Sequence, residues 1–345
     1  MSTQTPTYVV TGAAGFVGSN LCAELTNRDG GAHILAIDPF ISGSFANLVE
    51  AYARAKLGPF TGEILPASVE EIDFAELIAD RRPAAIFHLG AITDTTFEDE
   101  RVMLEVNSDS FGPMLAASVA AGVPLVYASS AATYGSPPQA DTMVPFPIEA
   151  AGNPNNVYGF SKWMMEVEHR RVARLHPDAH VVGLRYFNVF GPGEARKGRM
   201  ASMVHQLSLQ VLDGERPRLF TGGEQARDQV WVGDVVSCTL AAAGLGERLA
   251  TEIKPGVYNL GSGQVTTFNQ IADAIRDGMG LSAEERPTEY FEMPEHVRAF
   301  YQDYTCADMS ETESGLGWAP ETDPIEQMRT YASMLEADAA ERMPA

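Results

Sequence analysis

The chain has 345 residues, with 24 Lys+Arg against 46 Asp+Glu, a formal charge of −22, and 45% hydrophobic residues. That apolar fraction excludes disorder as the main state, and the length suffices for one large domain or two intimate ones. A chain this acidic repels a phosphate backbone, and no Lys/Arg run offsets the repulsion, so no nucleic-acid partner is expected. Cys22, Cys238 and Cys306 lie far apart with no Cys-x-x-Cys pair, which argues against a disulfide framework and a structural zinc site. Residues 1–6 carry neither the basic nor the apolar region of a signal peptide. The longest apolar stretch, residues 114–132, is broken by Gly122 and Pro124 and falls short of a membrane span. The expected setting is the cytoplasm, with no membrane association and no metal.

In chain order, residues 8–11 form a β-rich run that meets Gly12-Ala13-Ala14-Gly15-Phe16-Val17-Gly18. A helix follows over 19–25, then a buried strand over 33–37 that ends at Asp38. The pattern is strand, glycine turn, helix, strand, acid, within one βαβ length. Gly12 permits the tight turn, Gly15 lets backbone approach a diphosphate, and Gly18 lets the helix pack closely on the strand. The helix start, with Phe16 and Val17, offers free N–H groups and a partial positive charge to phosphate. Asp38, followed by Pro39, stands where a ribose-hydroxyl acceptor is required. Alone it would read as a strand-end carboxylate. Residues 39–45 contain no Lys or Arg. A 2′-phosphate would find no cation there and would meet Asp38, so NAD is favoured over NADP.

Residues 84–91 read as the next buried strand, on which His88 is a packed core histidine. A helix over 101–121 carries Asn107. A strand over 125–128 ends in Ser129-Ser130. A connection with Pro137, Pro138, Pro145, Pro147 and Pro154 reads as a loop insertion, before a helix over 157–175 and a strand over 180–190. This alternation predicts an α/β fold, a Rossmann-type doubly wound parallel sheet with ligands at the strand C-terminal ends. Residues 1–190 form the expected dinucleotide-binding domain, to which some later strands return. Residues 191–335 form mainly a smaller, mixed substrate lobe, with a strand and turn over 256–261. Residues 336–345 form a frayed tail.

Tyr158 and Lys162 stand at i and i+4, on one face of a helix. A phenol titrates near 10, so it needs help to act as a base at neutral pH. A nearby ammonium supplies that help, and Ser130, at the end of the neighbouring strand, can hydrogen-bond the same substrate hydroxyl. An exposed Tyr-x-x-x-Lys pair is common by chance; downstream of the glycine turn and Ser129-Ser130 it becomes specific.

With these residues the chain resembles the extended short-chain dehydrogenase/reductase superfamily from residue 8 to about 335. The segments that carry the likeness are 127–135 (YASSAATYG), 156–162 (NVYGFSK), 185–192 (RYFNVFGP) and 196–202 (RKGRMAS). The last of these is similar to the ADP-L-glycero-D-manno-heptose 6-epimerases, which finish the activated heptose of lipopolysaccharide inner core. The resemblance implies a nucleotide-sugar substrate, ADP-heptose, a tightly held NAD or NADP, and a homo-oligomer. It implies oxidation at carbon 6 and re-reduction from the opposite face. Tyr158 would be the acid/base for one epimer and Lys197 for the other. Read without the family, Lys197 would be a solvated loop cation. Further implied contacts are Asn188 to the sugar, Arg227 to the diphosphate and Tyr301 to the substrate. Phe220 and Gly222 would pack the nucleotide base, and Gly90, Ala91 and Asn107 would lie beside the cofactor. Arg199 and Gln206 occupy sugar-pocket positions where the family commonly has serine and histidine. Ser44 and Phe45 stand where it commonly has a lysine suited to NADP. A UDP-hexose 4-epimerase would need only the tyrosine. A 4,6-dehydratase would need carboxylates where Ala131 and Ala132 stand. A non-catalytic cofactor sensor would have no use for an intact Ser130, Tyr158 and Lys162.

Overall fold

Val9, Val10, Ile34, Leu35, Ile86 and Phe87 are apolar at consecutive positions, and so cannot face water on either side. Such strands sit in the middle of a sheet covered on both faces. The computed structural model describes residues 5–28, 31–246, 253–295 and 302–342. Its strands are β1 (Thr7–Thr11), β2 (His33–Ile37), β3 (Glu63–Leu65), β4 (Ala85–His88), β5 (Leu125–Ser130), β6 (Val181–Tyr186), β7 (Asn188–Phe190), β8 (Arg218–Phe220), β9 (Ala226–Trp231), β10 (Gly256–Leu260), β11 (Val265–Thr267), β12 (Glu289–Phe291) and β13 (Tyr304–Thr305). Seven of them form one parallel sheet in the order β10-β6-β5-β4-β1-β2-β3. The order reverses between β1 and β4, which opens a crevice at the strand C-termini.

The helices are α1 (Phe16–Asn27), α2 (Phe45–Arg54), α3 (Phe74–Arg81), α4 (Glu100–Leu104), α5 (Phe111–Ala121), α6 (Pro138–Thr142), α7 (Val157–Leu175), α8 (Met203–Leu212), α9 (Val232–Ala242), α10 (Phe268–Gly278), α11 (Ser310–Leu316) and α12 (Pro324–Arg342). One apolar core joins the sheet to α1, α2 and α9; a second joins its other face to α3, α5 and α7. A third core holds α8, α10 and α12 together through Leu207, Ile271, Ile275 and Met328. No helix among the described residues is long and apolar enough to cross a membrane.

Three elements differ from expectation. The strand expected over 180–190 is two strands. β6 ends at Tyr186, the Phe187 N–H is given to Leu260 O at 3.0 Å, and β7 joins β9 in a second sheet. The helix expected over 101–121 is interrupted by a π-helical turn, Glu105–Asp109, which carries Asn107. The last helix runs on through Arg342, past residue 335, because Met328, Tyr331 and Ala332 anchor it in the third core. A later strand, β10 over 256–260, lies at the edge of the main sheet beside β6.

Candidate active site

The glycine turn joins β1 to α1. Gly12 has φ +66, and a side chain there would strike Gly90 N at 2.7 Å, so the loops after β1 and β4 touch backbone to backbone. A side chain on Gly18 would lie 2.0 Å from Gly12 O, which fixes how closely α1 packs on the turn. At Gly15 a Cβ would meet only Gly12 O, at 3.1 Å. Helix α1 begins with no side-chain cap and no acid in its first turn, which leaves its first N–H groups for an anion. These features fit a dinucleotide diphosphate.

Asp38 lies at the end of β2 and is buried. Its two carboxylate oxygens accept the N–H groups of Ala14 (2.9 Å) and Phe40 (2.8 Å), so it ties the glycine turn to the following loop. Burial raises its pKa and the two N–H groups oppose that rise. Each oxygen keeps a second lone pair for a ribose hydroxyl. Pro39 is exposed beside it. Gly90 N–H donates to Thr11 Oγ1 (3.0 Å), and Thr11 Oγ1 meets His88 Nδ1 at 2.8 Å. His88 is buried against Phe111 and held at about 3 by burial, so it stays neutral. Asn107 exchanges hydrogen bonds with Ile92 N–H (2.8 Å) and Ile92 O (3.0 Å), and donates to Ser161 Oγ (3.1 Å). It thereby pins the loop of Gly90 and Ala91 to α7.

The catalytic candidates meet where β5 ends. Ser130 Oγ accepts Ala132 N–H (3.1 Å), and Ser130 is hydrogen-bonded to the Tyr158 hydroxyl. Burial pushes that phenol up, and the bond to Ser130 pulls it back. Asn156 caps α7 by accepting Gly159 N–H (2.8 Å), so the helix starts one residue before Tyr158. One turn on, Lys162 is 2% exposed and its Nζ donates to Ala128 O at 2.9 Å. Burial brings its ammonium down to about 8.

One turn further along α7, Glu166 carries a network that sequence reading had not singled out. Glu166 and Arg185 form a fully buried two-pronged ion pair at 2.9 and 2.7 Å. Ser129 donates to Glu166 (2.6 Å). Arg185 also reaches Tyr134 (3.0 Å) and Ile148 O (2.7 Å), and Tyr134 donates to Asn259 (2.7 Å). Arg185, Tyr134 and Asn259, conspicuous in the sequence segments, thus brace the strand ends that bear Ser130. The available signal was the i, i+4, i+8 spacing of Tyr158, Lys162 and Glu166 on one helix face.

Residues 191–202 form a strap that reaches back over the first βαβ unit. Asn20 Nδ2 donates to Pro192 O (2.9 Å). Arg196 grips Glu50 of α2 (2.6 and 2.9 Å) and Asn47 (2.7 Å). Arg199 reaches Asp94 (3.0 Å) and Thr96 (2.6 Å) in the loop after β4. Hydrogen bonds from Thr96, then Arg199, hold Asp94 near 2. Between these tethers Lys197 Nζ lies 5.6 Å from the Phe16 ring centre, above the start of α1. Burial lowers its pKa and Glu194 opposes the drop. Gln206 braces the strap by donating to Ala201 O (2.6 Å) and Arg199 O (3.3 Å). Arg199 and Gln206 are therefore engaged with protein groups.

The other substrate candidates gather in the lobe. Asn188 Nδ2 donates to Asp228 O (3.1 Å) and Thr305 Oγ1 (3.3 Å). Arg227 is buried, with its guanidinium 5.9 Å from the Phe268 ring centre. Phe220 packs on Phe291, and Gly222 (φ +90) accepts from Asn269 (2.8 Å). Tyr301 lies outside the described residues.

The profile of the NAD dependent epimerase/dehydratase family matches residues 8–261. The chain is 37% identical, over 324 residues, to an ADP-L-glycero-D-manno-heptose-6-epimerase of Pseudomonas aeruginosa; the match covers 87% of this chain and 90% of that protein. It superposes on the crystal structure of the Helicobacter pylori ADP-L-glycero-D-manno-heptose-6-epimerase with TM-score 0.80, at 30% identity, covering 96% and 97% of the two chains. The UDP-glucose 4-epimerase of Thermotoga maritima shares the fold, with TM-score 0.78 at 24% identity, covering 96% of this chain and 99% of that chain.

Proposed function

The chain belongs to the NAD dependent epimerase/dehydratase family, and from that premise we propose that it interconverts the C6 epimers of an ADP-linked heptose. It is an isomerase. The observation that carries the reading is the convergence of Ser130, Tyr158 and Lys162 at the end of β5, with the Lys197 strap spanning the adjoining glycine turn.

Gly12, Gly15, Phe16, Val17 and Gly18 would hold the cofactor diphosphate, Asp38 a ribose hydroxyl, and Lys162 and Tyr158 the nicotinamide end. When bound, the nicotinamide supplies the acceptor, and then the donor, of the hydrogen on carbon 6. Asp38 favours NAD. A 2′-phosphate would sit beside a buried carboxylate, and the strap cation Arg196 is already paired with Glu50.

For one epimer, the Tyr158 phenolate takes the C6 hydroxyl proton. Ser130 orients that hydroxyl, and the Lys162 ammonium, fixed on Ala128 O, favours the ionised phenol. For the other epimer the hydroxyl sits on the opposite face, out of reach of Tyr158, and Lys197 takes and returns the proton there. Arg227 would pair with the diphosphate, where a guanidinium fork matches phosphate oxygens.

The test is incubation with ADP-D-glycero-D-manno-heptose, followed by NMR of carbon 6. Inversion supports the reading and its absence refutes it. Lys197→Ala separates this enzyme from a 4-epimerase: a loss of at least about 10²-fold is expected here, against nearly full activity where the tyrosine acts alone.

A further inference from the structure

We infer that Glu194 is the positioning residue for Lys197: its buried carboxylate staples the two ends of the 191–202 strap and stands as the counter-charge of the ammonium. The inference rests on the reading of Lys197 as second acid/base.

Glu194 is fully buried, and a lone buried carboxylate is costly unless its lone pairs are filled. Oε1 accepts Gly191 N–H (2.9 Å) and the Ser202 hydroxyl (2.9 Å), while Oε2 accepts Ser202 N–H (2.6 Å). Burial, and then the charge of Glu194, raises the pKa of the Tyr331 hydroxyl of α12. Two of these donors are backbone groups at the two ends of the strap, so one side chain closes the loop. Within the loop, Lys197 N–H donates to Glu194 O (2.8 Å) and Ala201 N–H to Gly198 O (3.0 Å). Gly198, at φ +55, turns the chain immediately after Lys197. The height and direction of Lys197 thus follow from the Glu194 staple.

The charges around the strap sort into pairs. Arg196 is taken by Glu50 of α2, and Arg199 by Asp94 of the loop after β4. From α1, Lys197 meets the Phe16 ring. From α8, His205 Nδ1 meets the Tyr331 hydroxyl at 2.9 Å, and burial lowers the pKa of this histidine. Arg54 of α2 and Asp338 of α12 act on Tyr331. Glu194 is the carboxylate that acts on Lys197. A desolvated lysine with this counter-charge can hold a proton and release it, as a group serving both directions of an epimerisation must.

The test follows the pH dependence of Lys197 acetylation in the holoenzyme by mass spectrometry, beside the pH profile of kcat in both directions. Glu194→Gln is expected to lower the Lys197 midpoint by about one pH unit and to move the Lys197-dependent limb of kcat the same way. Ser202→Ala removes a donor from the carboxylate and is expected to move the midpoint up. A folded Glu194→Gln protein with the wild-type midpoint overturns the inference. If that variant does not fold, a Ser202→Ala midpoint that stays or falls does so. If the midpoints shift as expected but Lys197→Ala still inverts carbon 6, the second-base reading fails and the positioning by Glu194 stands.

Discussion

Replacing Lys162 with methionine is expected to stabilise the protein and inactivate it together. Burial holds the Lys162 ammonium at about 8, against 10.5 for an unburied lysine. At about 1.4 kcal/mol per pH unit, that gap makes the charged form cost about 3 kcal/mol at pH 7. Methionine fills the same channel without charge. It forfeits the charge-assisted hydrogen bond to Ala128 O, worth about 2 kcal/mol, so the net gain is about 1 kcal/mol. The folded value lies below the unfolded one. Between pH 8 and 10.5 the unfolded chain therefore holds more protons, and wild-type stability rises with pH. The advantage of Lys162→Met is then largest at pH 7 and shrinks through that window. Urea unfolding of the cofactor-free proteins at pH 7 and pH 10 measures it, and epimerase assays should show a loss of about 10²-fold or more. A variant less stable than wild type at pH 7, or an advantage that does not narrow with pH, would refute the reasoning.

Three further outcomes are expected. Glu166→Gln strands the fully buried Arg185 guanidinium and should cost about 3–5 kcal/mol in chemical unfolding, whereas Arg185→Met should cost less, because Glu166 keeps its second partner Arg170 at 2.7 Å. Gly18→Ala puts a methyl 2.0 Å from Gly12 O, so the purified variant should carry little or no dinucleotide when its denatured supernatant is chromatographed. NAD should raise the melting temperature of cofactor-free protein more than NADP at equal concentration, through mass action; the reverse order would remove Asp38 from its proposed role.

What was legible in the sequence was local. The glycine turn, the strand before it and the acid after it fall within thirty-odd residues, and their spacing reflects a single βαβ geometry. Helix α7 was legible from the charge along one face, and the i, i+4 spacing puts Tyr158 and Lys162 on one side of it. The Rossmann sheet follows from the alternation of such units, and the family match bears it out. What stayed hidden depends on pairs distant in the chain. Arg196 and Glu50 are 146 residues apart, and Arg199 and Asp94 are 105 apart. Nothing in 196–202 taken alone shows that its cations are tethers. Arg185 stood in the sequence only as the first residue of a segment shared with the family, and its head is spent on Glu166, Tyr134 and Ile148 O. The split of the strand over 180–190 was invisible because no glycine or proline separates Tyr186 from Asn188, and only the N–H that Phe187 gives to Leu260 O redirects the chain.

The central claim is that the carbon-6 hydrogen leaves and returns within one closed site. Substrate carrying deuterium at carbon 6, incubated with the enzyme in ordinary water and followed by NMR and mass spectrometry, tests it most directly. The account predicts that the inverted product keeps its deuterium. Loss of the label to solvent at the rate of inversion would mean that carbon 6 gives up a proton instead, and would contradict it.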